Sequence, residues 1–212
     1  MKCILCGGET SFFRQWRGKS YFQCSYCKSI MLHSEDYVSL EEEKERYQEH
    51  NNDVNDKRYQ NFVSPIVNKV LEERSKDDKG LDFGSGTGPV ITKMLRDKGY
   101  NIKVYDPFFA NYKKRLEKTY DYIVCCEVME HFHQPKEEFK KLKGLLKPKG
   151  SLHLMTEIYD QAIDFDSWNY KNDQTHVFFY HKKALEYIKQ QYSFGSMEII
   201  DDMVVYKVKQ ES

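Results

Sequence analysis

Four cysteines near the start of the chain have the spacing of metal ligands. Cys3 and Cys6 form one Cys-x2-Cys pair, and Cys24 and Cys27 form a second pair after an intervening segment. Each short turn can direct two sulfur atoms at the same ion, and thiolate sulfur is a preferred ligand of zinc. Because four protein ligands leave no open position for catalysis, the pattern predicts a structural zinc site, with a pair of disulfides as the alternative.

The segment between the two cysteine pairs predicts a β-hairpin. Aromatic residues are frequent in 12–16 and 21–23, and the polar stretch 17–20 joins these segments. A unit of this size cannot fold on a hydrophobic core, so bound metal would supply much of its folding free energy. We therefore expect residues 1–33 to form a small zinc ribbon.

A second candidate site is a glycine-rich loop that follows a short apolar strand. Glycines allow a sharp turn and close approach of a ligand, and the next helix offers free N–H groups at its start. Asp106 ends the following strand, where it could accept hydrogen bonds from the hydroxyls of a ribose. The residues assigned to this ligand site are Asp82, Gly84, Ser85, Gly86 and Gly88.

A third candidate site combines carboxylates with imidazoles. Glu127, Glu130 and His131 follow the apolar strand 122–126, and His176 lies further along the chain. His131 is the favoured general base, with Glu130 and His176 as further catalytic candidates. The four side chains could also bind Mg²⁺ or Mn²⁺. The alternatives are that Glu127 caps a cofactor, that Glu130 forms a structural salt bridge, and that His131 is an ordinary polar loop residue.

The elements that must position these residues follow from the hydrophobic pattern. A capped, acidic segment over 39–50 and an apolar stripe over 59–74 predict two helices, which we interpret as a linker and lid over 34–78. In residues 79–212, strands alternate with helices, which is typical of a parallel sheet covered on both faces. The expected fold class is α/β: a Rossmann-like, mostly parallel sheet with a C-terminal antiparallel hairpin, preceded by the zinc ribbon.

Composition narrows the class of protein. The chain has 212 residues, 40% of them hydrophobic, with 33 basic and 33 acidic side chains and a formal net charge of zero. A neutral chain creates no general attraction to nucleic acid, and the apolar runs are too short to span a membrane. The first residues lack the pattern of a secretory signal, so we expect a cytoplasmic protein.

The motifs in 79–212 resemble those of a known family. Four successive segments are similar to the motifs of Rossmann-like S-adenosylmethionine-dependent methyltransferases: 81–88 (LDFGSGTG), 104–106 (VYD), 120–131 (YDYIVCCEVMEH) and 145–150 (LLKPKG). Within that superfamily, the Glu-x-x-Glu-His step at 127–131 is similar to that of ubiquinone-pathway O-methyltransferases and their relatives. Small-RNA 2′-O-methyltransferases have a similar Glu-x-x-Glu-His set with a distant His, which holds a divalent ion.

The resemblance implies roles for individual residues. Gly84, Ser85 and Gly86 would hold the methionine end of the cofactor, and Asp106 its ribose. The backbone near Cys126 and Glu127 would hold the methionine amine, and three upstream side chains would form a lid: Tyr47, His50 and Tyr59. The chain departs from the family between residues 107 and 120, where the usual third strand and its adenine-reading acid are shortened or missing.

The aromatic segment 157–180 predicts a cover for the methyl acceptor, because long connections without regular structure are usually functional. A small aromatic or quinol hydroxyl is the first expectation for this acceptor. One alternative is an RNA-modifying methyltransferase whose ribbon binds nucleic acid through Arg14, Trp16, Arg17, Lys19 and Tyr21. The other is a protein that retains the cofactor fold as a non-catalytic binding platform.

Overall fold

The structure, a computed structural model, describes residues 1–49 and 53–210. Its helices, in chain order, are α1 (Leu40–Glu49), α2 (Lys57–Glu73), α3 (Val90–Asp97), α4 (Pro135–Gly144) and α5 (Lys182–Gln191). Its strands are β1 (Thr10–Trp16), β2 (Lys19–Cys24), β3 (Ile30–Leu32), β4 (Lys79–Phe83), β5 (Asn101–Tyr105), β6 (Tyr120–Cys126), β7 (Leu146–Met155), β8 (Phe178–Phe179), β9 (Phe194–Ile200) and β10 (Met203–Val208). His50, which was expected to end the first helix and to join the lid, lies outside the described residues.

The larger sheet confirms the expected fold class. Its six strands have the order β5-β4-β6-β7-β10-β9, and the first four run parallel. Strand β10 pairs antiparallel with both β7 and β9, which gives the C-terminal hairpin. Strand β6 lies inside the sheet between β4 and β7, and its apolar residues are buried, as expected for a strand that is covered on both faces.

Strand β5 forms one edge of this sheet, where the family pattern led us to expect a shortened or missing third strand. The chain after β5 contains a 3₁₀ turn at Lys113–Glu117 and no strand in the described structure before β6. The Arg115 guanidinium donates a hydrogen bond to the carbonyl of Val104 in the edge strand. The edge is therefore partly covered by a side chain in place of a paired strand.

Helix α2 covers one face of the sheet through the apolar stripe that the sequence predicts. Val63, Ile66, Val67 and Val70 are buried, at spacings of three and four residues. Pro65 lies inside the helix, which continues past it to Glu73. No helix in the described ranges combines the length and apolar character needed to span a bilayer.

A smaller sheet joins the ribbon to the segment 157–180. Its four strands have the order β1-β2-β3-β8, so the predicted ribbon hairpin gains a third strand and then a fourth from the segment 157–180. Strand β3 pairs antiparallel with β8, with Ile30 opposite Phe179. Buried residues of the ribbon and of the larger sheet belong to one hydrophobic cluster. The ribbon is therefore packed as part of the molecule's core, while the proposed domain boundaries remain predictions.

Candidate functional site

A single cleft of about 990 Å³ opens at the carboxyl ends of the parallel strands. This is the position where open α/β sheets bind their ligands. Most of the residues predicted for cofactor binding and catalysis line it: Tyr47, Tyr59, Gly84, Ser85, Gly86, Asp106, Cys126, Glu127, His131 and His176. The topology thus brings residues from widely separated motifs into one cavity.

The glycine loop after β4 forms one wall of the cleft. Gly84 has a φ of 78°, and a Cβ at this position would lie 2.5 Å from a methyl carbon of Val128. Gly86 has a φ of 61°. The N–H groups of Gly84 and Ser85 both donate to the carbonyl of Tyr105, so the loop is tied to the neighbouring strand. Glycine is required at Gly84 by both its backbone conformation and the lack of space.

Asp106 lies beside this loop and is almost fully buried. One carboxylate oxygen accepts a hydrogen bond from the N–H of Gly86 at 2.9 Å, and the other accepts from the N–H groups of Phe108 and Phe109. Asp106 therefore holds together two loops that line the cleft. Each carboxylate oxygen can accept more than one hydrogen bond, so contact with a ribose hydroxyl remains chemically available.

Three predicted site residues do not line the cleft: Asp82, Gly88 and Glu130. Asp82 is buried below the loop and accepts a hydrogen bond of 2.7 Å from the Thr92 hydroxyl in α3. Burial raises the pKa of Asp82 from 3.8 to about 6. Its side chain connects β4 to the helix that follows the glycine loop, which is a supporting position.

Glu130, His131 and His176 come together at the cleft, which His131 and His176 line. One carboxylate oxygen of Glu130, Oε1, lies 3.8 Å from Nε2 of His131 and 4.0 Å from Nε2 of His176. Glu130 is completely buried, and its Oε1 accepts no hydrogen bond from the described residues. Burial raises the pKa of this carboxyl group. We call these three residues the acidic-imidazole cluster.

The surroundings of the two histidines define their tautomers. Nδ1 of His131 lies 3.0 Å from the carbonyl oxygen of Thr175, and Nδ1 of His176 lies 2.7 Å from that of Tyr170. A carbonyl oxygen only accepts, so Nδ1 carries the proton on both rings. In the neutral rings each Nε2 then has a lone pair, and both Nε2 atoms lie near Glu130 Oε1. Three electron-pair donors therefore converge on one point, as in a site for a proton or a cation.

Glu127 lies next to the acidic-imidazole cluster but is not part of the grouping that could share one ion. Its φ of 51° is unusual for a residue with a side chain, and its N–H donates to the carbonyl of Met155. Burial, followed by the charge of Glu130, raises the pKa of Glu127 to about 9. Strained backbone at the end of a central strand is common at functional sites.

Sequence reasoning missed two polar side chains that support the cluster. Thr156 donates to the second oxygen of Glu130 at 3.1 Å, and its hydroxyl lies 2.9 Å from that of Tyr170. Tyr170 also packs against the His176 ring, with 4.2 Å between the ring centroids. From the sequence, Tyr170 is only one of several aromatic residues in the segment 157–180. Its exact role could not be read from the sequence, because the contact joins positions far apart in the chain.

Helix α1 covers the cluster, where a lid was expected. The Tyr47 ring packs edge-on against His131 at 5.2 Å, and its hydroxyl donates to Glu43 at 2.6 Å. Arg46 forms an ion pair of 2.9 Å with Asp173 in the aromatic segment. Helix α1, which precedes the larger sheet in sequence, is therefore joined at the cleft to the segment between β7 and β8.

The four cysteines lie outside the cleft and form a compact group. Sγ of Cys3 lies 3.7 Å from that of Cys27, and Sγ of Cys6 lies 3.5 Å from that of Cys24. Four sulfurs each 2.3 Å from one zinc in a tetrahedral arrangement would be about 3.8 Å apart. A disulfide requires a separation of about 2.05 Å, so the geometry favours a metal site. The hydrogen bond from Cys27 lowers the pKa of Cys3.

The two cysteine turns have matching backbones. The N–H of Gly7 donates to the carbonyl of Cys3, and the N–H of Lys28 donates to that of Cys24. Gly7 has a φ of 75° and Lys28 a φ of 62°. Each turn therefore closes with a left-handed residue after its second cysteine, and each directs its two sulfurs toward the same point.

The ribbon residues considered for nucleic-acid binding contact the rest of the protein. Tyr21 is buried, Arg14 pairs with Asp166 at 3.3 Å, and Lys19 donates to the carbonyl of Gln174. The two remaining residues stack together at the same surface: Trp16 and Arg17. These side chains help to attach the ribbon to the aromatic segment.

Comparison with known proteins gives the family. A family model described as a methyltransferase domain matches residues 55–195, which include the glycine loop, Asp106 and the acidic-imidazole cluster. Among curated protein sequences, none matches this chain. The match excludes the ribbon and α1, so the family model does not describe the cysteine site or the cover over the cluster.

Solved structures share the fold at low sequence identity. A SAM-dependent methyltransferase from Archaeoglobus fulgidus has a TM-score of 0.55 at 13% identity, over 70% of this chain and 94% of that one. An O-methyltransferase family protein from Burkholderia thailandensis has a TM-score of 0.52 at 12% identity, over 72% and 57%. Human N-acetylserotonin methyltransferase, solved with SAM, has a TM-score of 0.52 at 13% identity, over 72% and 54%. The matched region thus spans little more than half of the latter two proteins.

Proposed function

Because this chain belongs to the methyltransferase-domain family, we propose that it transfers the methyl group of S-adenosylmethionine to a hydroxyl oxygen of a small aromatic acceptor. The observation that carries this proposal is the shared cleft. The glycine loop and Asp106 line one side of it, and the acidic-imidazole cluster lies at the other. This arrangement supports a nucleoside-binding wall and proton-accepting groups within the same cavity.

The glycine loop supports binding of the cofactor in its half of the cleft. Gly84 and Gly86 let the backbone approach a ligand, and Asp106 can accept hydrogen bonds from the ribose. Cys126 and Glu127 also line the cavity, which supports a role for their backbone in holding the methionine amine. The bound sulfonium would supply an electrophilic methyl group, so the protein needs to align the acceptor and remove its proton.

The opposite half supports binding and deprotonation of the acceptor. Aromatic side chains line the cleft near both walls: Tyr47, Phe108, Phe109, Phe132 and Tyr170. These rings suit a planar, partly apolar molecule. His131 has a lone pair on Nε2 and is held by Thr175 and Tyr47, so it is the proposed general base. Glu130 stabilises the imidazolium that forms when His131 takes the proton.

The same cluster also fits a divalent transition metal, and in that alternative His131 is a metal ligand and not the general base. Two imidazole nitrogens and one carboxylate oxygen are ligands that such an ion prefers, and Glu130 Oε1 is a buried acceptor with no hydrogen bond from the described residues. The mixed nitrogen and oxygen set favours Mn²⁺ over Mg²⁺, and Glu127, the fourth ligand that the sequence suggested, lies outside the grouping that could share one ion. Such an ion, when bound, lowers the pKa of an acceptor hydroxyl. Thr156 and Tyr170 would orient the ligands.

In the ribbon, the sulfur geometry supports zinc bound by Cys3, Cys6, Cys24 and Cys27. All four atoms are supplied by the protein, so this ion would be structural. Residues 1–33, 34–78 and 79–212 remain our proposed ribbon, lid and catalytic regions, in a protein that we propose to be cytoplasmic.

A labelling experiment tests the proposed reaction. The protein is incubated with S-adenosylmethionine that carries a tritiated methyl group and with a cell extract that is afterwards separated into small molecules, RNA and protein. We expect label in the small-molecule fraction, at a rate that Glu130→Gln lowers strongly. Label in RNA alone would favour the RNA-modifying alternative, and cofactor binding without any label would favour the binding platform.

A further inference from the structure

The strand that carries the chain away from His176 belongs to the sheet of the ribbon. Strand β8 begins two residues after His176 and pairs with β3, which follows the second cysteine turn. Between them, the N–H of Leu32 donates to the carbonyl of Val177 at 2.9 Å. The residue after His176 is therefore hydrogen-bonded directly to the ribbon.

Two further hydrogen bonds join the ribbon to the chain before and after His176. On one side, Lys19 of the ribbon donates to the carbonyl of Gln174 at 3.2 Å. On the other side, the N–H of His181 donates to the hydroxyl of Ser29 at 3.1 Å. His176 thus lies within a segment that the ribbon holds before, beside and after it.

Ser29 connects these hydrogen bonds to the cysteine site. Its side-chain oxygen accepts from His181, while its carbonyl accepts from the N–H of Cys24 at 2.9 Å, which closes the second cysteine turn. Ser29 is completely buried. A change in the conformation of the turn around Cys24 and Cys27 would therefore move the Ser29 hydroxyl, which accepts the hydrogen bond from His181 shortly after β8.

The segment that carries His176 also forms hydrogen bonds to the turn that carries Glu130 and His131. The N–H of Val177 donates to the carbonyl of Glu130, and the Tyr180 hydroxyl donates to that of Met129. By contrast, the backbone hydrogen bonds of Gly84, Ser85 and Gly86 go to Tyr105 and Asp106 and not to residues 1–33. Among the described hydrogen bonds, those of the ribbon reach the segment that carries His176 and do not reach the glycine loop.

We propose that the zinc-loaded ribbon is a positioning device for His176, so that zinc in the four-cysteine site controls the acidic-imidazole cluster and leaves the cofactor half of the cleft unchanged. Ser29 and Lys19 are its positioning residues. The inference rests on the proposed function, because that function gives the cluster its task. Its test reads the conformation of His176 and does not require methyl transfer.

The experiment uses the full chain labelled with ¹⁵N-histidine. Zinc is removed with a chelator that does not react with thiols, and its release is counted. The Nδ1–H of His176, bonded to the carbonyl of Tyr170, gives the signal of interest, assigned with His176→Gln. His153, completely buried and 2.6 Å from the Ser151 hydroxyl, reports that the larger sheet stays folded.

We expect zinc release to shift or broaden the His176 signal, to leave the His153 signal in place, and to change the affinity for S-adenosylhomocysteine less than twofold. An unchanged His176 signal after complete zinc release would overturn the inference, as would loss of both signals, because zinc would then hold the whole fold. A protein that gives the expected signals but transfers no methyl group would count against the proposed function alone.

A pair of serine variants separates positioning from folding of the ribbon. Ser29→Ala removes the hydroxyl that His181 uses and keeps all four cysteines. Ser25→Ala is the matched control, because its hydroxyl contacts only the carbonyl of Glu9 within the ribbon, among the described hydrogen bonds. With zinc bound in both, we expect Ser29→Ala to speed amide exchange in 174–181 about tenfold and Ser25→Ala to leave it unchanged. Equal exchange in the two variants would contradict the role of Ser29.

Discussion

The two halves of the cleft are built in different ways. The cofactor half consists of a short continuous loop whose shape comes from glycine backbone and from hydrogen bonds to the next strand. The cluster half consists of side chains, with Glu130 and His131 from one turn and His176 from a segment that the ribbon holds. The first half depends on local conformation, and the second depends on long-range packing.

This difference predicts that changes to one half will leave the other functional. A shared nucleoside wall can serve many methyl acceptors, while the side chains opposite it determine which acceptor is aligned and deprotonated. Four predictions test or refine this separation.

The largest effect is expected in the cluster. Glu130→Gln keeps the size of the side chain but removes the charge that would stabilise a protonated His131, so methyl transfer should fall about 10²- to 10⁴-fold. The affinity for S-adenosylhomocysteine should stay the same, as measured by calorimetry. The exposed Glu137→Gln is the control and should retain full activity. A parallel loss of affinity and rate in Glu130→Gln would show that the halves are not separate.

The next largest effect is expected in the glycine loop. Gly84→Ala would place a Cβ against Val128 at a positive φ, which should cost roughly 1–3 kcal/mol and strongly weaken binding of S-adenosylhomocysteine. Gly144→Ala, where nothing lies within 4 Å of the added carbon, should leave binding unchanged. Adding Val128→Ala should restore part of the stability of Gly84→Ala. If Val128→Ala restores none of the lost stability, the positive φ at residue 84 and not the contact with Val128 accounts for the destabilisation by Gly84→Ala.

A smaller effect concerns Asp82, which supports the loop without lining the cleft. Its pKa is about 6 in the folded protein and 3.8 in a free chain, so between these values the folded state binds more protons. The contribution of Asp82 to the free energy of unfolding is therefore fully present below about pH 3.8. It is lost as the pH rises through 6, which lowers the free energy of unfolding by up to about 3 kcal/mol. Denaturant unfolding at several pH values should show this loss in the wild type and a flatter profile in Asp82→Asn. Identical profiles would contradict the raised pKa.

The smallest effect is expected in the ribbon. Lys28 has the left-handed conformation that Gly7 has in the matching turn, so Lys28→Gly should stabilise the protein by about 0.5–1 kcal/mol. Lys28→Ala retains a Cβ and should give no such gain. Thermal unfolding of the zinc-loaded protein measures both. A loss of stability in Lys28→Gly would show that flexibility in the unfolded chain outweighs the relief of strain.

How well each half could be predicted from sequence follows its construction. The glycine loop and Asp106 lie in short motifs, so their place at the strand ends follows from local patterns. The cysteine turns are equally local. The approach of His176 to Glu130 was suggested by the ligand chemistry of the two side chains and by a family resemblance, because no periodic pattern links a loop residue to a partner that far away.

The union of the ribbon with β8 was not predicted at all. Strand β8 has two residues, too short for alternation of polar and apolar side chains to indicate a strand. Thr156 and Tyr170 were missed as supports for the same reason: their roles arise from packing between distant segments. Asp82, assigned to the cofactor from its motif, instead bonds to Thr92 in the structure.

The central claim is that a glycine wall binds the cofactor independently of the cluster that acts on the acceptor. Calorimetric titration of S-adenosylhomocysteine into the wild type, Gly84→Ala and Glu130→Gln tests it most directly. The account predicts equal affinity for the wild type and Glu130→Gln and a severe loss for Gly84→Ala. It would be contradicted if Glu130→Gln lost affinity together with Gly84→Ala, or if Gly84→Ala bound as tightly as the wild type.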